Sequence, residues 1–120
     1  MIAVDTNILV CARREDLPWH NEAEARVREL AEGLAQWTIP WPCLHEFTAI
    51  VTPPRIDRPP TPLGLALDQA EAWQASPSLV ILAEAADHWS KLKSLALAGK
   101  IAGPQIHDAC IAALCICHGA

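Results

Sequence analysis

The chain has 120 residues, a formal net charge of −5, 52% hydrophobic residues and 19% charged residues. That length accommodates one domain, residues 1–120, with a sizeable core, and the apolar fraction excludes a disordered chain. No apolar run reaches the roughly 18 to 20 residues of a membrane span, and the acidic balance excludes a strongly basic binder that acts by phosphate neutralisation alone.

The opening Met1-Ile2-Ala3-Val4-Asp5 lacks the basic segment and long apolar core of a signal peptide, so a cytoplasmic protein is expected. Cys11, Cys43, Cys110, Cys115 and Cys117 are then expected as reduced thiols rather than a disulfide framework. Cys115-Ile116-Cys117-His118 has metal-ligating residue types, but helix neighbours two apart point to different sides and no second ligand pair occurs elsewhere. Structural zinc is not expected there.

Ile2-Ala3-Val4 predicts a short buried strand, and Thr6-Asn7 offers helix-starting polar side chains before Ile8-Leu9-Val10-Cys11-Ala12. From Pro18 to about Ala35, Ala23, Val27, Leu30 and Leu34 recur at spacings of three and four, predicting an amphipathic helix. Trp37-Thr38-Ile39-Pro40-Trp41 predicts a second strand, and Pro42 to Val51 a helix whose apolar face is Leu44, Phe47, Ile50 and Val51. Glu46 falls off that stripe. Thr52 to Pro62 is a proline-rich loop on which Arg55 and Arg58 are expected to be exposed.

A helix started by Thr61-Pro62 and running to about Gln74, a turn at Ser76-Pro77-Ser78 and a third strand over Leu79-Val80-Ile81-Leu82 follow. The remaining elements are a helix from about Ala85 to Leu97, ended by Gly99, and a last helix from about Ile106 to His118, meeting Gly119. Strands alternating with helices predict an α/β fold with a parallel sheet and right-handed crossovers.

Three acids stand at the mouths of separate elements: Asp5 after the first strand, Glu46 on the third helix and Asp108 at the start of the last. Parallel sheets place ligand sites beyond the carboxyl ends of their strands, which is where Asp5 falls. Carboxylates gathered in one cleft repel one another, by about 4 kcal/mol per pair at 4 Å and an effective dielectric of 20. A hard divalent cation removes that penalty and prefers oxygen ligands. Asp5 and Asp108 are the expected direct ligands, with Glu46 reaching a bound water or a second ion. Each acid also has a plainer role: Asp5 as a helix N-cap, Asp108 as a complement to a helix dipole, Glu46 as a solvated side chain. Arg13, Arg14, Arg55 and Arg58 are available for phosphates, and Arg13 and Arg55 are the expected substrate-phosphate contacts.

His45 and His107 each precede one of these acids, but adjacent helix residues face different ways, so packing or cleft-rim roles are expected. His20, His88 and His118 suggest no partner. No serine or cysteine nucleophile motif, phosphate-binding loop or dinucleotide glycine pattern is present. Phosphatase chemistry with Asp5 as nucleophile is disfavoured because Asn7 stands where a second aspartate is expected.

Met1-Ile2-Ala3-Val4-Asp5-Thr6-Asn7-Ile8-Leu9-Val10, Pro42-Cys43-Leu44-His45-Glu46-Phe47 and Ile106-His107-Asp108-Ala109-Cys110-Ile111-Ala112-Ala113 resemble, in order, the signatures of PIN-domain ribonucleases, specifically VapC-type toxins. Val51-Thr52-Pro53, the Trp89 region and His118-Gly119 extend the likeness over essentially the whole chain. The resemblance implies a three-layer α/β/α fold and a magnesium- or manganese-dependent endoribonuclease. It also implies silencing by a cognate VapB-like antitoxin, commonly as a homodimer. It matches Asp5 and Asp108 to metal-binding acids, Glu46 to the active-site glutamate, and Thr6 and Asn7 to the polar pair supporting the first aspartate. Family members usually continue past a His-Gly pair into further strands and another acidic motif, whereas this sequence stops at Ala120. The resemblance therefore implies a shortened domain with the first strand at an exposed edge, as a truncated product or a variant completed by a partner. The alternative function is a catalytically impaired module that captures an antitoxin in an apolar groove between the second helix and the proline-rich segment.

Overall fold

The computed structural model describes residues 1–53 and 59–120. Elements alternate as expected: β1 (Ile2–Ala3), α1 (Thr6–Arg13), α2 (His20–Glu32), β2 (Trp37–Pro40), α3 (Trp41–Val51), α4 (Leu63–Gln74), β3 (Leu79–Leu82), α5 (His88–Gly99) and α6 (Gln105–His118). The strands pair in parallel in the order β1-β2-β3, with Ile2 opposite Trp37, Trp37 opposite Leu79 and Pro40 opposite Leu82. With its flanking helices this short sheet makes a three-layer α/β/α fold.

The centre of the sheet is β2, whose four residues are all buried. Trp37 and Ile39 join Leu9 of α1, Val27 of α2, Leu44 and Phe47 of α3 and Trp73 of α4 in the main core. Phe47 meets Trp73 edge to face, with ring centroids 4.8 Å apart, a geometry that the ring quadrupoles favour. Between the main core's strand residues, Thr38 is also buried, and its hydroxyl donates to the Val80 carbonyl of β3, so no buried polar atom is left there without a partner. A smaller cluster of Leu92, Ala109 and Ala113 joins α5 to α6. Among the described residues β1 pairs with β2 alone, leaving Ile2 and Ala3 exposed at the edge of the sheet. No helix among the described residues is long and apolar enough to cross a membrane.

Several boundaries differ from the sequence expectation. α2 begins at His20 rather than Pro18, because residues 18 and 19 form a turn in which the His20 amide donates to the Leu17 carbonyl. Gly33 ends that helix, so Leu34 does not join the apolar stripe of Ala23, Val27 and Leu30 and is fully exposed. Ile50, assigned to the apolar face of α3, is also exposed, while Leu44, Phe47 and Val51 are buried. α5 starts at His88 rather than near Ala85, whose carbonyl accepts the His88 amide in a preceding turn. The left-handed residue after α5 is Lys100, with φ 50°, and Gly99 remains helical. The last helix closes as expected, with Gly119 at φ 70°, a conformation glycine adopts without a Cβ clash.

Leu9 is fully buried and Leu34 fully exposed. Leu9→Ala is therefore expected to destabilise the fold by about 2–5 kcal/mol, whereas Leu34→Ser changes stability by no more than about 0.5 kcal/mol. Urea midpoints of the two variants check this; equal losses would restore Leu34 to the core.

Candidate functional site

Asp5 occupies the two-residue turn between β1 and α1, after the buried Val4, whose amide donates to the Thr38 carbonyl at 2.9 Å. It is the N-cap of α1: its backbone is extended, with φ −84° and ψ 162°, and its Oδ1 accepts the Thr6 amide at 2.8 Å. A first-turn amide has no partner within its own helix, and a carboxylate there also meets the positive end of the helix dipole. The plainer role weighed for Asp5 is thus present. It engages Oδ1, and no hydrogen bond among the described residues falls on Oδ2.

The following residue connects the turn to α3. Thr6 is buried, and its hydroxyl donates to Glu46 Oε2 at 2.7 Å, holding a half-buried carboxylate that local helix periodicity alone treats as solvated. From the same helix, the buried Cys43 thiol lies 3.6 Å from Asp5 Oδ1 and donates to it. Burial pushes the Cys43 thiol up to about 11, Thr6 hydrogen bonds opposing and the Asp5 charge adding to the effect. Cys43 therefore acts as a neutral donor to Asp5 at ordinary pH. Sequence reasoning assigned it no role beyond a buried thiol.

Asp108 lies in the first turn of α6, and α6 packs against β2 and β3. It is exposed and makes no hydrogen bond or ion pair among the described residues. Asp5, Asn7, Pro40, Asp108, Ile111 and Cys115 line one cleft of about 550 Å³ at the carboxyl ends of β1 and β2. The fold thus brings Asp5 and Asp108, 103 positions apart, to a single opening at the place where parallel sheets receive ligands. Glu46 is not on the lining of that cleft but is one hydrogen bond from Thr6, beside Asp5. The three acids do not form a cluster with every ligand atom within 4.8 Å of the others, so their repulsion is weaker than a 4 Å convergence implies. Cys115 adds a thiol whose pKa is raised by burial and by Asp5. Thr6 bonds Asp5 through its amide and Glu46 through its hydroxyl; Asn7 lies on the cleft without a side-chain hydrogen bond among the described residues.

The basic residues lie elsewhere. Arg13 ends α1 and lines a separate depression of about 570 Å³ with Arg14, Asp16 and Thr61, roughly 12 Å along the helix from Asp5. Arg14, expected to be available for phosphate, is instead buried and makes a two-pronged pair with Asp16 at 2.9 and 3.1 Å. Arg55 and Arg58 lie outside the described residues. His45 stacks on Trp41 with ring centroids 5.9 Å apart, and His107 is exposed near the cleft-bearing end of α6, both consistent with packing or rim positions. Two of the three histidines without an expected partner have one: His20 Nδ1 is 2.8 Å from the Cys11 carbonyl, and His118 Nε2 is 2.9 Å from that of Ala83.

With this geometry in place, comparison with known proteins assigns the class. The model of the PIN domain matches residues 2–120, and the chain belongs to the PIN-domain family. Ribonuclease VapC43 of Mycobacterium tuberculosis and a VapC ribonuclease of Mycobacterium bovis are each 32% identical to it over 113 residues, covering 94% of this chain and 77% of theirs.

The raised Cys43 pKa has a defined sign. The folded state holds the thiol proton above pH 9, where the unfolded thiol begins to lose it, so this contribution is present below about pH 9 and is lost as pH rises toward about 11. Cys43→Ser keeps a donor for Asp5 and removes the titrating thiol. Thermal melts from pH 8 to 11 are expected to fall less steeply for this variant than for the wild type; parallel curves would remove Cys43 from the alkaline limb.

Proposed function

We propose that the protein is a divalent-metal-dependent endoribonuclease, the toxin of a toxin–antitoxin pair. The observation carrying this reading is that Asp5 and Asp108 share one cleft while Thr6 ties Glu46 to the same turn. The names of the VapC ribonucleases, similar over nearly all of this chain, support the reaction class.

Asp5 Oδ2 and both Asp108 oxygens are hard donors without protein hydrogen bonds among the described residues, which suits a magnesium or manganese ion. Such ions are typically held by one or two carboxylates with waters and substrate phosphates, so two carboxylates on one open cleft suit them without a closed cage. A bound ion supplies charge neutralisation at phosphorus and a lowered pKa for water. The chain's own residues do the rest. Asp5 is held in orientation by the Thr6 amide and the Cys43 thiol, and Asp108 faces the same opening from α6. Glu46, with Oε2 held by Thr6, keeps its other oxygen to orient an attacking water and accept its proton. The backbone of a bound RNA extends toward Arg13, with Arg55 as the second phosphate contact.

A VapB-like antitoxin is the proposed partner, and a second copy of the chain the proposed state in solution. Support for an apolar docking face comes from exposed Ile2, Ile8 and Trp19, which line clefts along α1, α2 and β1. The groove expected from the sequence between α2 and the proline-rich segment involves residues 54–58, which lie outside the described residues.

Magnesium-dependent RNA cutting is expected from the purified chain, lost with EDTA and restored by added Mg2+ or Mn2+. Asp5→Asn and Asp108→Asn are expected to bring cleavage to background with folding preserved by circular dichroism. Thr6→Val, which frees Glu46, is expected to slow cleavage by roughly 10–100-fold. Undiminished cutting by either asparagine variant would reject the site. Antitoxin capture by a wild type that cuts no RNA would replace the enzyme reading with that of an impaired binding module.

A further inference from the structure

On the opposite face of α6, Cys110 meets residues from two other segments. Asp108 and Cys110 are separated by about 200° around the helix, so Cys110 turns away from the Asp5 cleft toward α5. There its Sγ lies 3.5 Å from Nε2 of His88, the first residue of α5. Glu84, in the loop after β3, places Oε1 4.0 Å from the same nitrogen. The ligand-type atoms of all three lie within 4.8 Å of one another, and among the described residues no other group of three does so.

His88 is unusual in this setting. Its side chain is only 7% exposed, and Nδ1 has no hydrogen-bond partner among the described residues. Buried imidazole nitrogens are normally engaged, because a desolvated polar group without a partner is costly. Here Nε2 has only a weak thiol contact and a carboxylate beyond hydrogen-bond distance.

We propose that Glu84, His88 and Cys110 form a second metal site, specific for a borderline-soft divalent ion of the zinc type and separate from the Asp5–Asp108 cleft. Sulfur, nitrogen and oxygen ligands suit Zn2+ and are poorly matched to Mg2+. Tetrahedral zinc bonds place ligand atoms about 3.4–3.7 Å apart, close to the 3.5 Å between Cys110 and His88 already present. The remaining contraction falls on Glu84, whose side chain is 72% exposed and free to swing inward. On binding, Cys110 releases its proton to solvent and coordinates as thiolate, and the fourth position takes water. The ion joins the β3–α5 loop and α5 to α6, so it stabilises the helix that presents Asp108. The site is independent of the ribonuclease reading.

Cobalt titration of the reduced full chain tests it, because Co2+ reports both thiolate ligation and tetrahedral geometry. A thiolate-to-cobalt charge-transfer band and intense visible bands are expected, bleached by one equivalent of Zn2+ and unaffected by excess Mg2+. Cys110→Ser is expected to remove the charge-transfer band, whereas Cys11→Ser and Cys117→Ser retain it. Loss of even outer-shell partners costs roughly 10–100-fold in metal affinity, so Glu84→Gln is expected to weaken cobalt binding by at least about tenfold. Zn2+ is also expected to raise the melting temperature of the wild type and leave that of Cys110→Ser unchanged. No band in the wild type, a band surviving in Cys110→Ser, or unaltered affinity in Glu84→Gln would each overturn the proposal. Comparison of metal-free melts separates a folding defect in Cys110→Ser from loss of a ligand.

Discussion

At the junction of β1 and α1, the chain must stop pairing with β2 and start a helix within Val4 and Asp5. The Thr6 amide that emerges from this turn has no partner inside α1, and Asp5 Oδ1 supplies one at 2.8 Å. That bond sets the direction of α1 and holds a carboxylate at the carboxyl end of the sheet. The Thr6 hydroxyl then reaches Glu46 on α3 at 2.7 Å, so the same residue positions a second acid from 40 positions away. Everything at the cleft depends on this turn being made as it is.

Capping and metal binding are compatible uses of Asp5 because a carboxylate has two oxygens. The Thr6 amide and the Cys43 thiol both address Oδ1. Cys43 fits this arrangement because burial keeps it protonated: a thiolate beside Asp5 would add a like charge in a place poor in water, whereas the thiol donates a weak hydrogen bond. The donor is apolar enough to belong to the main core and polar enough to orient an acid.

α6 serves two environments. One face brings Asp108 to a cleft shared with Asp5, where the acids are open to water. The other brings Cys110 into the small α5–α6 cluster beside a buried imidazole. Hard oxygen donors on one side and mixed sulfur, nitrogen and oxygen donors on the other give a physical basis for distinguishing two classes of divalent ion on a single helix.

Periodicity and turn chemistry were sufficient for the order and type of the elements. Strand-length apolar runs at Ile2 and Leu79, the three-and-four spacing of Ala23 and Val27, and Gly119 after the last helix are local signals, and backbone hydrogen bonding responds to them locally. The same locality explains the misplaced boundaries, since spacing alone continues the α2 stripe to Leu34 although the helix has already ended at Glu32. Asp5, Glu46 and Asp108 stood out in the sequence because acids at the mouths of apolar elements need a reason. Which of them share a cleft, the Thr6–Glu46 bond, the withdrawal of Arg14 into a pair with Asp16, and the meeting of Glu84, His88 and Cys110 were decided only by the tertiary structure. Apart from the Arg14–Asp16 pair, these contacts join separate segments, and even that short-range pair depends on how the end of α1 is buried. The distances follow from how the helices pack across the sheet, which residue spacing along the chain does not encode.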